Sequence, residues 1–136
     1  VSASTALVAA AASALRADAA LKPLVSGVWA MAPAPGAKPP YAVVGPDIAT
    51  DWSCKDRQGR EHRLRVTLWA SPYPAAAPAA AVDRIETVVS GLSGALGGGW
   101  RILSIGFLRS FTAAPEDGGP SEHVIEFRAR TERISQ

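Results

Sequence analysis

Apolar positions along the chain switch between a helical and a strand period, and the switches mark its elements. Leu7, Val8, Ala11 and Leu15 recur at helical spacing behind Ser4 or Thr5, either of which is placed to cap a first helix. Asp18 suits the cap of a further turn, and Pro23 limits how far the helix runs. Val28 and Trp29 read as a short strand. From Met31 to Pro40, four prolines and one glycine exclude a helix or an inner strand, which leaves an extended arm or surface loop. Tyr41 to Val44 opens an apolar strand that Ile48 to Trp52 continues past a kink at Gly45-Pro46.

Cys54 to Arg60 carries turn chemistry in Asp56, Gln58 and Gly59. His62 to Trp69 then alternates, with Leu64, Val66 and Leu68 on one side and Arg63, Arg65 and Thr67 on the other. Two strands around a polar turn predict a hairpin. The proline-rich Ser71 to Pro78 stops the second strand. Val82, Ile85, Val89, Leu92 and Leu96 follow the three-and-four spacing of one helix face, and Gly97-Gly98-Gly99 is expected to end that helix. Arg101 to Phe111 alternates, with Leu103, Ile105 and Phe107 expected inward. After a polar loop from Ala113 to Pro120, a last strand points Ile125, Phe127 and Ala129 inward and Glu126, Arg128 and Arg130 outward. The order predicts one α+β domain over residues 1–136: an antiparallel sheet of about four to five strands in two hairpins, one face covered by the N-terminal helix and the long amphipathic helix.

Composition narrows the class. Of 136 residues, 48% are hydrophobic and 19% charged, which suits a folded globular chain. The formal charge of +2, from 14 basic and 12 acidic residues, is too balanced to make nucleic acid the principal ligand. Cys54 is the single cysteine, so no intrachain disulfide forms. Ala6 to Leu15 lacks a basic flank and is too short to cross a bilayer, so it is expected to pack as a helix, with no membrane partner.

Candidate chemistry is sparse. The triple glycine leaves a helix and enters a strand, the reverse of a phosphate loop. His62 and His123 each sit at a strand start without a ligand-spaced partner, and a solvated strand-end role is expected for both. Cys54 and Ser53 lack a nucleophile context. Asp47, Asp51, Asp56, Glu61, Glu116 and Asp117 read as ordinary solvated charge. No catalytic residue, metal site or cofactor is expected. The strongest charge signal is Lys55, Arg57, Arg60, Arg63 and Arg65, interleaved with Asp51, Asp56 and Glu61, which favours a salt-bridged hairpin or subunit contact over DNA recognition.

The order of pieces resembles one family. Leu15-Arg16-Ala17-Asp18-Ala19-Ala20-Leu21 is followed by Leu24-Val25 and a short strand. Then come the strand start Pro40-Tyr41-Ala42-Val43-Val44-Gly45, the turn Asp51-Trp52-Ser53-Cys54-Lys55-Asp56, a strand ending at Trp69, a long helix and a final hairpin. This is similar to the tail-terminator or tail-completion proteins of siphophage-like particles and gene transfer agents. The resemblance implies a structural subunit without catalytic residues. It implies a homo-oligomeric ring, typically a hexamer, that caps the tail tube, joins it to a head connector or stopper, and lets DNA pass without being read. It also implies a place at the head–tail junction of a particle assembled in the bacterial cytoplasm. Another head–tail joining protein, or a small ligand-binding or hydrolytic domain using Cys54, His62 or His123, is the alternative. In a ring subunit, Lys55, Asp56, Arg57, Arg60 and Arg63 are the expected subunit contacts. The expected docking loops are residues 31–40, with Met31, Pro35, Lys38 and Pro40, and residues 113–120, with Pro115, Glu116 and Asp117.

Overall fold

The structure, a computed structural model, describes residues 1–71, 77–114 and 117–134. Of the proline-rich stop at Ser71 to Pro78, residues 72–76 therefore lie outside the described residues; the strand before it ends at Ala70, and Pro78 already lies in a helix. The first helix, α1 (Ala3–Ala17), begins two or three residues earlier than the Ser4 or Thr5 cap predicts: the Ser2 hydroxyl accepts the Thr5 N–H at 3.0 Å. Its alanines favour helix, and Leu7, Ala11 and Leu15 form a fully buried stripe. Asp18 ends it, its carboxylate accepting the Leu21 N–H at 3.0 Å.

The second helix, α2 (Ala77–Ser90), buries Ala81, Ile85 and Val89 at four-residue intervals. It stops at Ser90, well before the triple glycine. Gly91 and Gly94 break the helical run first, and Leu92 and Leu96 reach the core from irregular chain. Gly97–Gly99 instead makes a short 3-10 turn, in which Gly98 holds φ 73° against Val1; a Cβ there would lie 2.8 Å from the Val1 side chain. Arg84 of α2 clasps Asp18 with two hydrogen bonds of 2.9 and 2.7 Å, tying the two helices together.

Among the described residues, six strands form one sheet: β1 (Val28–Ala30), β2 (Tyr41–Asp51), β3 (Gly59–Ala70), β4 (Gly94–Ala95), β5 (Trp100–Ala113) and β6 (Ser121–Arg133), in the order β1-β2-β3-β6-β5-β4. The predicted sheet of four to five antiparallel strands is thus exceeded. The short Val28 strand pairs parallel with β2 and makes the sheet mixed, and two residues before the 3-10 turn add β4. Gly45-Pro46 breaks the β2–β3 register between Val44 and Asp47, where the kink was expected.

Both helices cover one face. Leu64, Val66, Leu68, Ile125, Phe127 and Ala129 meet them there, each at most 1% exposed. Each such large side chain contributes about 1.5–3 kcal/mol by leaving water. Strand β5 departs from the expected pattern. Register shifts between Ile102 and Ser104 and between Phe107 and Arg109 disrupt its alternation. Ile102 is buried and Ile105 packs on the core, whereas Leu103 and Phe107 stay 45% and 47% exposed rather than inward.

Candidate functional site

Two polar systems flank the core. The first is internal. His62 shares strand parity with Leu64 and Val66, so its imidazole points among the helix-side residues and is fully buried. Its Nδ1 lies 2.7 Å from Asp47 Oδ2 and its Nε2 2.8 Å from Thr131 Oγ1, while Ser4 of α1 donates to the same Asp47 oxygen at 2.5 Å. A solvated strand end does not describe His62, nor does solvated charge describe Asp47, whose side chain is 1% exposed. A buried polar group must be paired to be tolerated, and this chain of four residues ties α1, β2, β3 and β6 together. His123 sits near the far end of the β3–β6 ladder, opposite Leu68, six residues from His62 along β3 and so about 20 Å away. It contacts Ser121 and Thr112 at 3.3 and 3.5 Å. Cys54 lies exposed in the hairpin turn. The three residues do not converge on one site.

The second system lies on the helix-free face and runs into the β2–β3 hairpin turn. In the turn, Cys54 and Arg57 exchange backbone hydrogen bonds of 3.0 and 3.3 Å, and Lys55 and Asp56 are exposed at its tip. Gly59 closes the turn; a Cβ there would lie 2.6 Å from the Trp52 carbonyl oxygen. Beside the turn opens a cleft of about 520 Å³, lined by Trp52, Cys54, Arg57, Leu103 and Glu132 among others. Of the expected subunit contacts, three pair within the chain: Arg57 with Glu132 at 2.9 Å, Arg60 with Asp51 at 3.4 Å and Arg63 with Glu61 at 3.5 Å. Arg60 also lies 5.5 Å from the Trp100 ring centre.

Three glutamates organise the face. Glu132 accepts from Arg101 and Arg57. Glu126 accepts from Arg109 and, at 2.8 Å, from Arg65. Glu61 accepts from Arg130 at 3.1 Å. Hydrogen bonds, from Arg101, Arg109 and Arg130 respectively, hold each carboxyl below its ordinary range, against the opposing effect of desolvation. Trp52 and Phe111 add aromatic surfaces under Arg130 and Arg65, 4.8 and 5.8 Å from the ring centres. Residues 101, 109 and 132 are the partners that sequence reasoning missed. Arg101 and Arg109 face β6 across the final hairpin and Arg57 lies 75 residues from Glu132, and only the register shows which of them meet.

The expected docking loops differ from each other. Residues 31–40 contain no helix or strand, as their prolines require, yet both ends are fastened. Ser26 donates from its backbone to the Pro40 carbonyl at 2.7 Å and from its hydroxyl to the Lys38 carbonyl at 2.6 Å, and Met31 donates to Val44 at 2.8 Å. Met31 is 61% exposed, Pro35 and Lys38 are exposed, and Pro40 is half-buried. In the second loop, Pro115 and Glu116 lie outside the described residues, and Asp117 is exposed and accepts the Gly119 N–H at 3.0 Å.

Comparison with known proteins gives one consistent picture. The family model described as "Tail completion protein gp17" matches residues 9–132. A chain from the solved virion of a native gene transfer agent particle superposes with a TM-score of 0.81 at 30% identity, covering 94% of this chain and 96% of that one. No curated protein matches.

Proposed function

This chain belongs to the tail completion protein gp17 family, and from that premise we propose that it is the subunit of a ring that ends the tail tube, stops its polymerisation and joins it to the head connector or stopper. It is a tail structural protein by family. The observation that carries the finer reading is the end-to-end likeness to a chain of a gene transfer agent virion, 30% identical over 94% of this chain. The reading places the chain in the particle, at the head–tail junction, after assembly in the cytoplasm.

The architecture suits such a part. A ring needs a heterologous contact that closes by rotation. The hairpin turn supplies both signs of charge on one projecting element: Lys55 and Asp56 exposed at the tip, Arg57, Arg60 and Arg63 below. Charges so arranged set register and steer encounter. We assign subunit–subunit contact to this element, with six subunits as the expected count. The loops around Met31, Pro35, Lys38 and Pro40 and around Pro115, Glu116 and Asp117 are assigned to the tail tube and the connector. Proline lowers the ordering cost of a loop on docking. DNA crosses the lumen without sequence readout.

Particles made without this chain test the reading. Tubes of uncontrolled length, unattached to heads, are expected, with attachment restored by the wild-type chain added in trans. Tubes of normal length carrying unjoined ends would assign it to the connector or stopper instead. Normal, fully joined particles would end the proposal.

A further inference from the structure

The buried chain Ser4–Asp47–His62–Thr131 leaves one atom unanswered. Asp47 Oδ2 accepts the Ser4 hydroxyl at 2.5 Å and faces His62 Nδ1 at 2.7 Å. Asp47 Oδ1 is buried and has no hydrogen-bond partner among the described residues. With Asp47 ionised and His62 neutral, one further proton fits on His62 Nε2, because the Thr131 hydroxyl can turn from donor to acceptor. A proton on Asp47 does not fit. On Oδ1 it makes a buried hydroxyl without an acceptor, and on Oδ2 it takes the place of the hydrogen that Ser4 donates. The closed arrangement is built for the carboxylate anion.

Among the described residues, His62 is the one charge-bearing group within ion-pair distance of Asp47. On β2 the next charged residue, Asp51, is exposed beside Arg60. On β3, Glu61 and Arg63 flank His62 but lie on the helix-free face, 3.5 Å from each other. On β6, Arg130 and Glu132 flank Thr131 and also lie on that face, bound to Glu61 and to Arg57. The first charged side chain of α1 is Arg16, near the helix's other end, where it donates to the Val28 carbonyl at 2.8 Å. On α2, Arg84 is held by Asp18. What α1 brings to the carboxylate is the Ser4 hydroxyl and the positive end of its dipole.

Ser4 and Asp47 also line a cleft of about 370 Å³ together with Val8, Ala30, Met31 and Pro46. Met31, at the root of the 31–40 loop, holds φ 69°, which a residue with a side chain keeps only under constraint. Its sulfur packs on Gly45; a Cβ there would lie 2.5 Å from it. We propose that the network is a proton-operated latch. With Asp47 ionised it holds the first turn of α1 against the sheet, and protonation of Asp47 in acid frees that turn and the Met31 root while the sheet stays folded. The latch is a property of the single chain and stands whether or not the chain forms a ring.

Met31 is the sole methionine, so its methyl group is a single NMR reporter on the cleft. The test follows that methyl, and hydrogen exchange corrected for its intrinsic dependence on pH, in the full chain as pH falls. The open form binds one proton more than the closed form, so as Asp47 takes up its proton the opening should grow by about ten-fold per pH unit. The Met31 methyl and the amides of Ala6 to Ala9 should report it together, while the amides of Leu64 and Phe127 stay protected. Asp47→Asn, which cannot ionise, should show the acid-type Met31 signal at neutral pH and no further response. Ser4→Ala, a milder change, should raise opening at neutral pH by roughly ten-fold and keep the response to acid. Glu126→Gln should leave the wild-type response in place. The latch is ruled out by a Met31 methyl that stays still as Asp47 titrates, or by core amides losing protection at the same pH as α1. A Ser4→Ala chain that opens no more than wild type, or a response that Glu126→Gln abolishes, also overturns it.

Discussion

The two faces of the sheet come from the same strands and do opposite things. Along β3, Leu64, Val66 and Leu68 are fully buried under the helices, while Arg63 and Arg65, one residue off in phase, stand about two-fifths exposed over glutamates. Along β6, Phe127 and Ala129 are fully buried, and Arg128 between them is exposed. On the helix side, each residue removes apolar area from water, the dominant favourable contribution to folding. On the other side, each ion pair exchanges hydration for a partner and contributes little net stability. Strand parity thus divides these stretches into residues that hold the fold and arginines left to solvent, although Thr67 and Val124, in phase with the arginines, are buried at 7% and 1% exposure.

The sharpest way to break that division is to cut the helix side. Phe127→Ala should cost about 3–5 kcal/mol and Ile85→Ala about 2–5 kcal/mol in denaturant unfolding. Losses well below about 1 kcal/mol would mean that this side is not the core. The buried polar chain comes next. Removing either partner of His62–Asp47 leaves the other buried and one hydrogen bond short, and His62→Ala or Asp47→Ala should each cost about 1–3 kcal/mol. A solvated His62 would show no such loss.

Acid should act on the ion pairs. The arginines hold Glu61, Glu126, Glu132 and Asp18 below their ordinary range, so the folded chain binds fewer protons than the unfolded one. Their contribution is therefore present above the ordinary carboxylate pKa and is lost as pH falls through the lowered folded-state values. Melting temperature should be level from neutral pH to about 5 and then decline. Glu126→Gln should flatten the decline; an unchanged acid slope in that variant would show that the pair contributes nothing. The smallest effect is predicted for Arg128→Ala, within about 0.5 kcal/mol of wild type. A cost as large as that of Ile85→Ala would abolish the contrast between the faces.

How much of this was legible in the chain depends on distance. Local period sufficed for the Leu64-Val66-Leu68 and Ile125-Phe127-Ala129 faces, for the Leu7-Leu15 stripe and for the turn at residues 54–60. It misled where the backbone changes phase. The register shifts in β5 leave Leu103 and Phe107 about half exposed, and strict alternation cannot foresee an extra residue. The spacing of Leu92 and Leu96 continued a helix that Gly91 and Gly94 had already broken. His62 carried a usable signal: its parity with Leu64 placed it inside, where a strand-end position argued for solvent. Its partners did not show, because Thr131 lies 69 residues away. The same holds for Arg57 and Glu132, separated by 75 residues, and for the parallel pairing with β2 of the short strand that Val28 and Trp29 predicted. The hairpin was recognisable as charged, but which charges were already satisfied within the chain was not.

Electron microscopy of the intact particle tests most directly the proposed closure of this chain into a ring at the end of the tail tube. Density matching the six-stranded sheet with its two helices should appear as a closed ring of this chain between the last tube layer and the head connector. Finding that fold elsewhere in the particle, as an unclosed or single copy, or finding another protein filling the ring at that junction, would contradict it.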